Sequence, residues 1–493
     1  VCSTSDRLAL SIGTVDLLIL LAYMGGVVAL GTWVGRATRS AADFMVGGRD
    51  LPWWVILFSI VATETSTVTF LSIPGFAYGR DMTWLQIVIG FVLGRFLVSF
   101  LLLPQYFKGN FYTAYEVLDK RFGGATKQTA SLIFIVTRSL ADGFRLFLSA
   151  IVLQEMTGIP MYWAVIFIGI ATIVYTYLGG MRAVLWTDFV QFTVYMGGAL
   201  LALTLLINKL PGGWNQLTTM GEAADKFRVF DFTLDLSEPY GFWAGLIGGM
   251  FITLGSHGVD QMMVQRYLSA RNLSDARKAL ITSGFVVFAQ FTLFLIIGIG
   301  LFCFYQLFPP EAAFERTDRV FARFILDHMP VGVLGILLGA IFAAAMSTLS
   351  SSLNSCATAA ANDIYFPLLG REVEPARKLR VIRVLTAVFG LVQIAVGIGG
   401  QWLKSTVVSS VLGIAAFTTG IILGVFFLGI FTERVGQRAA LAGLVVGLIG
   451  MTWIFFATDL AWPWFALVGS AGTFAVGLAA SYIWPRETTA PAS

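Results

Sequence analysis

Hydroxyl side chains crowd one short stretch of an otherwise apolar segment: Ser347, Thr348, Ser350, Ser351 and Ser352, followed by Asn354 and Ser355. At about 100° per helical residue, Ala344, Ser347, Thr348 and Ser351 share one face, with Ser350 at its edge. A hydroxyl at membrane depth costs free energy unless it finds a partner. The face therefore implies close packing against another helix, or a hard cation that takes oxygen ligands. Charged residues interrupt other apolar runs: Glu64, Arg95, Arg138, Asp142, Arg145, Asp188 and Asp260. Each costs about 2.5–3.5 kcal/mol on insertion scales and is a functional candidate by default. Arg138, Asp142 and Arg145 stack on one helix face and can neutralise one another or meet a polar substrate. Asp188 has no basic neighbour in sequence nearer than Arg182, so it needs a cation from elsewhere. Glu64 lies among Thr63, Thr65, Ser66, Thr67 and Thr69, and Asp260 follows a run of glycines. Two acids at a shared site would suit a solute bearing hydroxyls or an amine, or a protonatable group.

The composition sets where this chemistry happens. With 493 residues, 57% hydrophobic and only 12% charged, the chain reads as an all-α polytopic membrane protein. A mean hydropathy of +0.81 agrees. The net charge of +4 is spread over short loops and does not suggest a nucleic-acid partner. Two histidines and three scattered cysteines offer no zinc motif and no disulfide framework, and no phosphate-binding loop is present, so an enzyme is not expected.

Apolar runs of about 20 residues predict about thirteen spans. They lie near 14–35, 51–78, 82–106, 128–156, 160–180, 184–208, 240–265, 279–307, 331–360, 381–402, 406–431, 438–457 and 463–485. With the N-terminus outside, about twenty of the 32 basic residues fall on inner loops and about nine on outer ones, which puts the C-terminus in the cytoplasm. Spans two to six (about 51–208) and seven to eleven (about 240–431) form two sets of five, an odd number that inverts the second set relative to the first. The first member of each set is irregular, through hydroxyls ahead of Pro74-Gly75 in one and through Gly245, Gly248, Gly249, Gly255 and Gly258 in the other. Interrupted helices at matching positions point to a midplane binding site. Residues 1–485 read as one transmembrane domain with a cytoplasmic tail at 486–493.

Six motifs then give the chain a recognisable likeness. They are Ala-Thr-Glu-Thr-Ser at 62–66, Tyr-Leu-Gly-Gly-Met at 177–181, Trp-Thr-Asp at 186–188, Asp-Gln-Met-Met-Val-Gln-Arg at 260–266, the serine-rich stretch at 343–355, and Asp-Ile-Tyr at 363–365. Together they resemble the sodium/solute symporter family, with its sugar, proline and sialic acid members. The resemblance implies a LeuT-like inverted repeat of five helices, with one helix before it and two after. It implies a first sodium on Ala62, Thr65, Ala344, Ser347 and Thr348, and a second between Asp188, Ser347, Ser350 and Ser351. The solute site it implies would be lined by Glu64, Ser66, Thr69, Trp84, Gln86, Asp142, His257, Asp260 and Gln261. Glu64, Thr69 and Asp260 depart from the sugar pattern, and Ala141 stands where sialic acid members carry an arginine. The resulting expectation is a sodium-coupled importer of a small polar organic solute, a monomer in lipid in a bacterial inner membrane, working by alternating access. Proton coupling through Glu64 or Asp188, or a transporter-like sensor, are the alternatives.

Overall fold

The computed structural model describes residues 12–310, 313–370 and 372–486, without the side chains of 405–410. Cys2, Arg7, Arg371 and the expected tail past Arg486 lie outside the described residues. The principal helices are α1 (Thr14–Gly35), α2 (Trp53–Glu64), α3 (Thr67–Gly79), α4 (Leu85–Leu97), α5 (Gly124–Thr157), α6 (Met161–Lys209) and α7 (Gly249–Gly258). They continue with α8 (Gln261–Leu268), α9 (Leu273–Leu307), α10 (Val333–Ala359), α11 (Pro375–Gly399), α12 (Ser405–Phe431), α13 (Gln437–Ala457) and α14 (Phe465–Ile483). No named strand occurs among the described residues.

Among the described residues nine helices are long and apolar enough to cross a membrane, or ten if the bent pair α2 and α3 counts as one span. That is fewer than the expected thirteen, and three causes are visible. Expected spans five and six lie in one 49-residue run, α6, in which two helices meet at a kink. A straight helix of that length would run more than twice the roughly 30 Å of a bilayer core. Gly180 breaks it, with φ 56 and ψ −150. Expected span four falls on α5, where Arg138, Asp142 and Arg145 lower the apolarity, and span seven is divided into α7 and α8, each too short alone.

Both irregular spans are broken helices. Thr65, in extended conformation, separates α2 from α3 with a bend of 67°. The second half restarts at Ser66, whose side chain accepts from the Thr69 amide at 3.3 Å. Val259 ends α7, and Asp260 starts α8 by accepting from the Met262 amide at 2.8 Å. The first break is made without glycine, by a hydroxyl cap where a glycine hinge would be expected.

The serine-rich helix α10 is the central pillar, buried without interruption from Leu337 to Ala359. It packs against α6, α1, α5, α11, α2 and α8. Asp16 of α1 accepts from the backbone amides of Gly332 and Gly335, both at 2.8 Å, and so caps the start of α10. Helices α12, α13 and α14 pack together, and α12 leans on α5 and α7.

A Cβ on Gly180 would stand 2.6 Å from the Phe44 carbonyl oxygen, in a backbone region that L side chains rarely adopt. Gly180→Ala is therefore expected to destabilise the fold by about 2 kcal/mol or more, read as a lower unfolding temperature in detergent. An unchanged unfolding temperature would show that the turn relaxes freely.

Candidate ion and solute sites

Breaking α2 frees the carbonyls of its last turn at membrane depth, and α10 supplies hydroxyls to meet them. Ser347 Oγ donates to the Ala62 carbonyl at 2.9 Å and is also within 3.2 Å of the Ala344 carbonyl. Thr348 Oγ1 donates to the Thr63 and Ala344 carbonyls at 3.3 and 3.4 Å. At the break, the Thr65 hydroxyl donates to the Val61 carbonyl at 3.0 Å and accepts from Gln290 Nε2 of α9 at 2.7 Å. Ala62, Ala344, Ser347 and Thr348 are thus brought to one buried seam of uncharged oxygens, with Thr65 at the adjacent break held instead to Val61 and Gln290. The small residues at 343–345 let the two helices meet closely enough for these contacts.

Asp188 of α6 lies on the neighbouring stretch of the same seam, fully buried. Its Oδ2 accepts from Ser59 at 2.5 Å, Thr63 at 3.3 Å and Arg266 Nη2 of α8 at 3.1 Å. Arg266 also donates to Thr63, Ser351 and the Met262 carbonyl, and through Nε to Ser59 at 2.9 Å. The cation that Asp188 requires is therefore Arg266, and Arg182 is engaged with Asp50 instead. Asp188 Oδ1 is buried with no hydrogen-bond partner. Ser350 and Ser351 donate to the Ser347 carbonyl at 3.1 and 2.7 Å, which ties this cluster to the first.

The remaining intramembrane charges form two groups around the helix breaks. Glu64, at the end of α2, pairs with the fully buried Arg95 of α4. His257 of α7 sits 3.6 Å from Glu64 and 3.2 Å from Arg95, and Ser256 Oγ is 2.9 Å from its Nδ1. In the second group Arg138 pairs with Asp260 at the other break and is 3.8 Å from Asp142, which in turn pairs with Arg145.

A cavity of about 230 Å³ opens beside this second group, lined by Arg138, Ala141, Arg145, Asp260 and Ser256, with Tyr115 among its aromatic walls and Trp462 beside α12. A small void next to Asp142 and Arg145 is walled by Ser66, Ala344 and Thr348, so it adjoins the hydroxyl seam. Other expected lining residues sit elsewhere. Gln86 gives its amide to the Tyr240 carbonyl at 2.8 Å and accepts from the Asp231 amide at 3.0 Å, fastening a loop. Gln261 likewise accepts from the Ala114 amide at 2.7 Å and donates to the Tyr112 carbonyl at 3.2 Å. Trp84 stacks on Phe291 with centroids 6.3 Å apart, within an aromatic cluster that includes Tyr240. Thr69 is 3.2 Å from Ser66 at the start of α3, outside the larger cavity.

The profile of the Sodium:solute symporter family matches residues 44–447. The chain belongs to the sodium:solute symporter family. It is 32% identical to the sodium/sialic acid symporter NanT of Aliivibrio fischeri over 95% of this chain and 93% of that one. Identity to SiaT of Proteus mirabilis, also a sodium/sialic acid symporter, is 29% over 94% of each chain. The human sodium/iodide cotransporter is 30% identical, over 87% of this chain and 68% of its own. In three dimensions the chain matches the substrate-bound, outward-open structure of a Na+-coupled sialic acid symporter with a TM-score of 0.88 and 29% identity, covering 96% of this chain and 98% of that one. It therefore has a LeuT-like fold, and it is a sodium-coupled solute symporter in which the motif resemblance and the three-dimensional likeness agree.

For this symporter, sequence reasoning missed Arg95 and Arg266 as partners, and Gln290 as the side chain that holds Thr65. Arg266 sits in the recognisable Asp-Gln-Met-Met-Val-Gln-Arg motif, yet 78 residues separate it from Asp188. Among the described residues no group of three or more His, Cys, Asp and Glu side chains is placed to hold a metal ion. Arg95→Met should leave Glu64 buried without its cation and cost about 3–5 kcal/mol, with much of that recovered in Arg95→Met/Glu64→Gln. Equal unfolding temperatures for the single and double variants would refute the pairing.

Proposed function

We propose that the chain imports a small, polar, carboxylate-bearing solute together with two sodium ions by alternating access. The observation that carries the first sodium is the seam of Ala62, Thr65, Ala344, Ser347 and Thr348 oxygens at the α2 break. Sodium is a hard cation, and a buried set of neutral hydroxyl and carbonyl oxygens offers it ligands without a resident charge to bind a proton. Rotating the Ser347 and Thr348 hydroxyl protons away from the carbonyls would turn this hydrogen-bonded seam into a ligand shell. A second sodium is supported by the orphaned Asp188 Oδ1 beside the serines of α10. Because Arg266 already holds Oδ2, this ion would bind by reorganising that pair.

Sodium is favoured over the proton as coupling ion because the seam offers neutral oxygens, and Glu64 and Asp188 each have an arginine partner. The solute reading rests on the cavity beside α5 together with the sialic acid symporters among the relatives. Arg145 is its accessible cation, with 36% of its side chain exposed against 14% for Arg138. Ala141 lies between them on the cavity wall, so the positive charge has moved by a turn from the position that the family resemblance gives the sialic acid members. Thr137, Ser256, Thr418 and Thr419 offer hydroxyls to the rest of the molecule.

In this reading the chain is a single transporter domain sufficient as a monomer, in a bacterial inner membrane with its N-terminus outside and C-terminus in the cytoplasm. Sodium joining α2 to α10 stabilises the outward-open state, and the solute then completes the site. Each inward charge gains about 2.3 kcal/mol per 100 mV of negative-inside potential. Two sodium ions with a monovalent anion leave transport electrogenic.

In the purified protein, sodium but not potassium should raise the unfolding temperature, and Ser347→Ala should weaken apparent sodium affinity about tenfold or more. Identical behaviour in both salts would leave the seam as packing and defeat the reading. Arg145→Ala should raise the KM for sodium-driven uptake of a carboxylate solute about tenfold or more in proteoliposomes, while sodium-induced stabilisation persists. An unchanged KM would remove Arg145 from the solute site.

A further inference from the structure

A basic, partly apolar groove lies away from both candidate sites, where the short helix Glu116–Phe122 meets the ends of α12, α13 and α14. Two adjoining cavities of about 370 and 660 Å³ share Lys120 and Arg121. The first carries Lys108 at its rim and is walled by Phe111, Phe426 and Ile430. Arg438, Trp484 and Arg486 line the second. Among the described residues no carboxylate pairs with Lys108, Lys120, Arg438 or Arg486. The acids of the short helix are engaged elsewhere: Asp119 with Lys127 at 2.5 Å, and Glu116 with the amides of Tyr112 and Thr113 and with Asn362. Glu433 is the acid whose field reaches Arg121, where burial and the neighbouring Arg486 nevertheless press the guanidinium below its ordinary value.

Arg121 is fixed to the protein, donating to the carbonyls of Thr432 at 2.5 Å, Val435 at 3.2 Å and Gly429 at 3.3 Å. Lys108 and Lys120 are tethered only lightly, to Gln105 Oε1 at 2.9 Å and over the Phe111 ring at 4.3 Å. Phe431, Tyr482, Ile483 and Trp484 are exposed at or next to the groove's lining residues, a mix of aromatic and apolar side chains that suits a headgroup boundary. A solvated surface would not place an apolar slot directly beneath unpaired cations. Those two features together match a molecule with a phosphate at one end and hydrocarbon at the other.

We infer that this groove holds an anionic phospholipid, its phosphate among Lys108, Lys120, Arg438 and Arg486 and its acyl chains along Phe111, Phe426 and Ile430. The lipid would fasten the α12–α14 bundle to the segment joining α4 to α5, from a position remote from the solute. This inference requires only that the chain spans a membrane and is independent of the sodium and solute assignments.

The test compares retention of phosphatidylglycerol and phosphatidylcholine on the detergent-solubilised full chain by native mass spectrometry, with unfolding temperature read in parallel. Each basic residue near an anionic lipid contributes on the order of fivefold. Wild type should retain phosphatidylglycerol preferentially and gain stability from it. Lys108→Ala/Lys120→Ala/Arg438→Ala should cut that retention on the order of a hundredfold, with retention of phosphatidylcholine unchanged. If the triple variant gives no folded protein, Lys108→Gln and Arg438→Gln singly should each show a several-fold loss. Equal retention of the two lipids by wild type, undiminished retention by the variants, or an equal stability gain from glycerol 3-phosphate alone would each overturn the inference, the last by showing a site for a free phosphate.

Discussion

Polar groups at membrane depth must be satisfied from within the protein, and the seam between α2 and α10 is where this constraint shapes the molecule most. The α2 break and the α10 hydroxyls each make the other tolerable. Without Ser347 and Thr348, the Ala62 and Thr63 carbonyls would lack the partners they have across the interface, at about 1–3 kcal/mol for each group left unsatisfied. Without the break, those hydroxyls would have only their own helix to turn to, as Ser350 does toward Ser347. Alanines at 343–345 permit the approach, and Asp16 holds the start of α10 in place.

The buried charges obey the same constraint in a different form. Glu64 with Arg95, Asp188 with Arg266, and Asp260 with Arg138, Asp142 and Arg145 are each held in groups containing both signs. A buried pair adds little net stability, but losing one member leaves an expensive lone charge. Such groups therefore specify which helices must stay together. Arg266 shows this most clearly, since it stands on the second half of one broken helix and reaches α2, α6 and α10 at once. Arg266 thus joins the segment after one break to the helix that leads into the other.

Much of this was legible in the residues. The hydroxyl face of α10, the hydroxyl-rich interruption of α2, the glycine-rich approach to Asp260 and the need of Asp188 for a cation all follow from periodicity and insertion cost. Partnership between distant segments did not follow, because nothing local joins Arg266 to Asp188 or Arg95 to Glu64. Gln86 and Gln261, expected in the solute lining, are held by loop backbone in this structure. The loops beside them carry backbone groups that their amides satisfy. Length and apolarity alone count fewer spans for physical reasons: Gly180 kinks α6 between two expected spans, and the charges of α5 lower the apolarity of a third.

The small void joining Ser66, Ala344 and Thr348 to Asp142 and Arg145 bears on how an ion could act on a solute. In the proposed reading, a sodium ion at the seam adds positive charge to the wall that also holds Asp142, whose present partner is Arg145. Drawing Asp142 toward the ion would weaken its hold on Arg145 and release that guanidinium to a carboxylate in the cavity. A carboxylate bound there would in turn lower the cost of placing sodium nearby, as linkage requires when two ligands favour one state. A neutral solute would lack this charge term and would depend on shape alone to sense the ion. In the proposed reading the arrangement therefore favours an anion as the partner of sodium, through Asp142, a carboxylate whose second oxygen is buried without a hydrogen bond of its own.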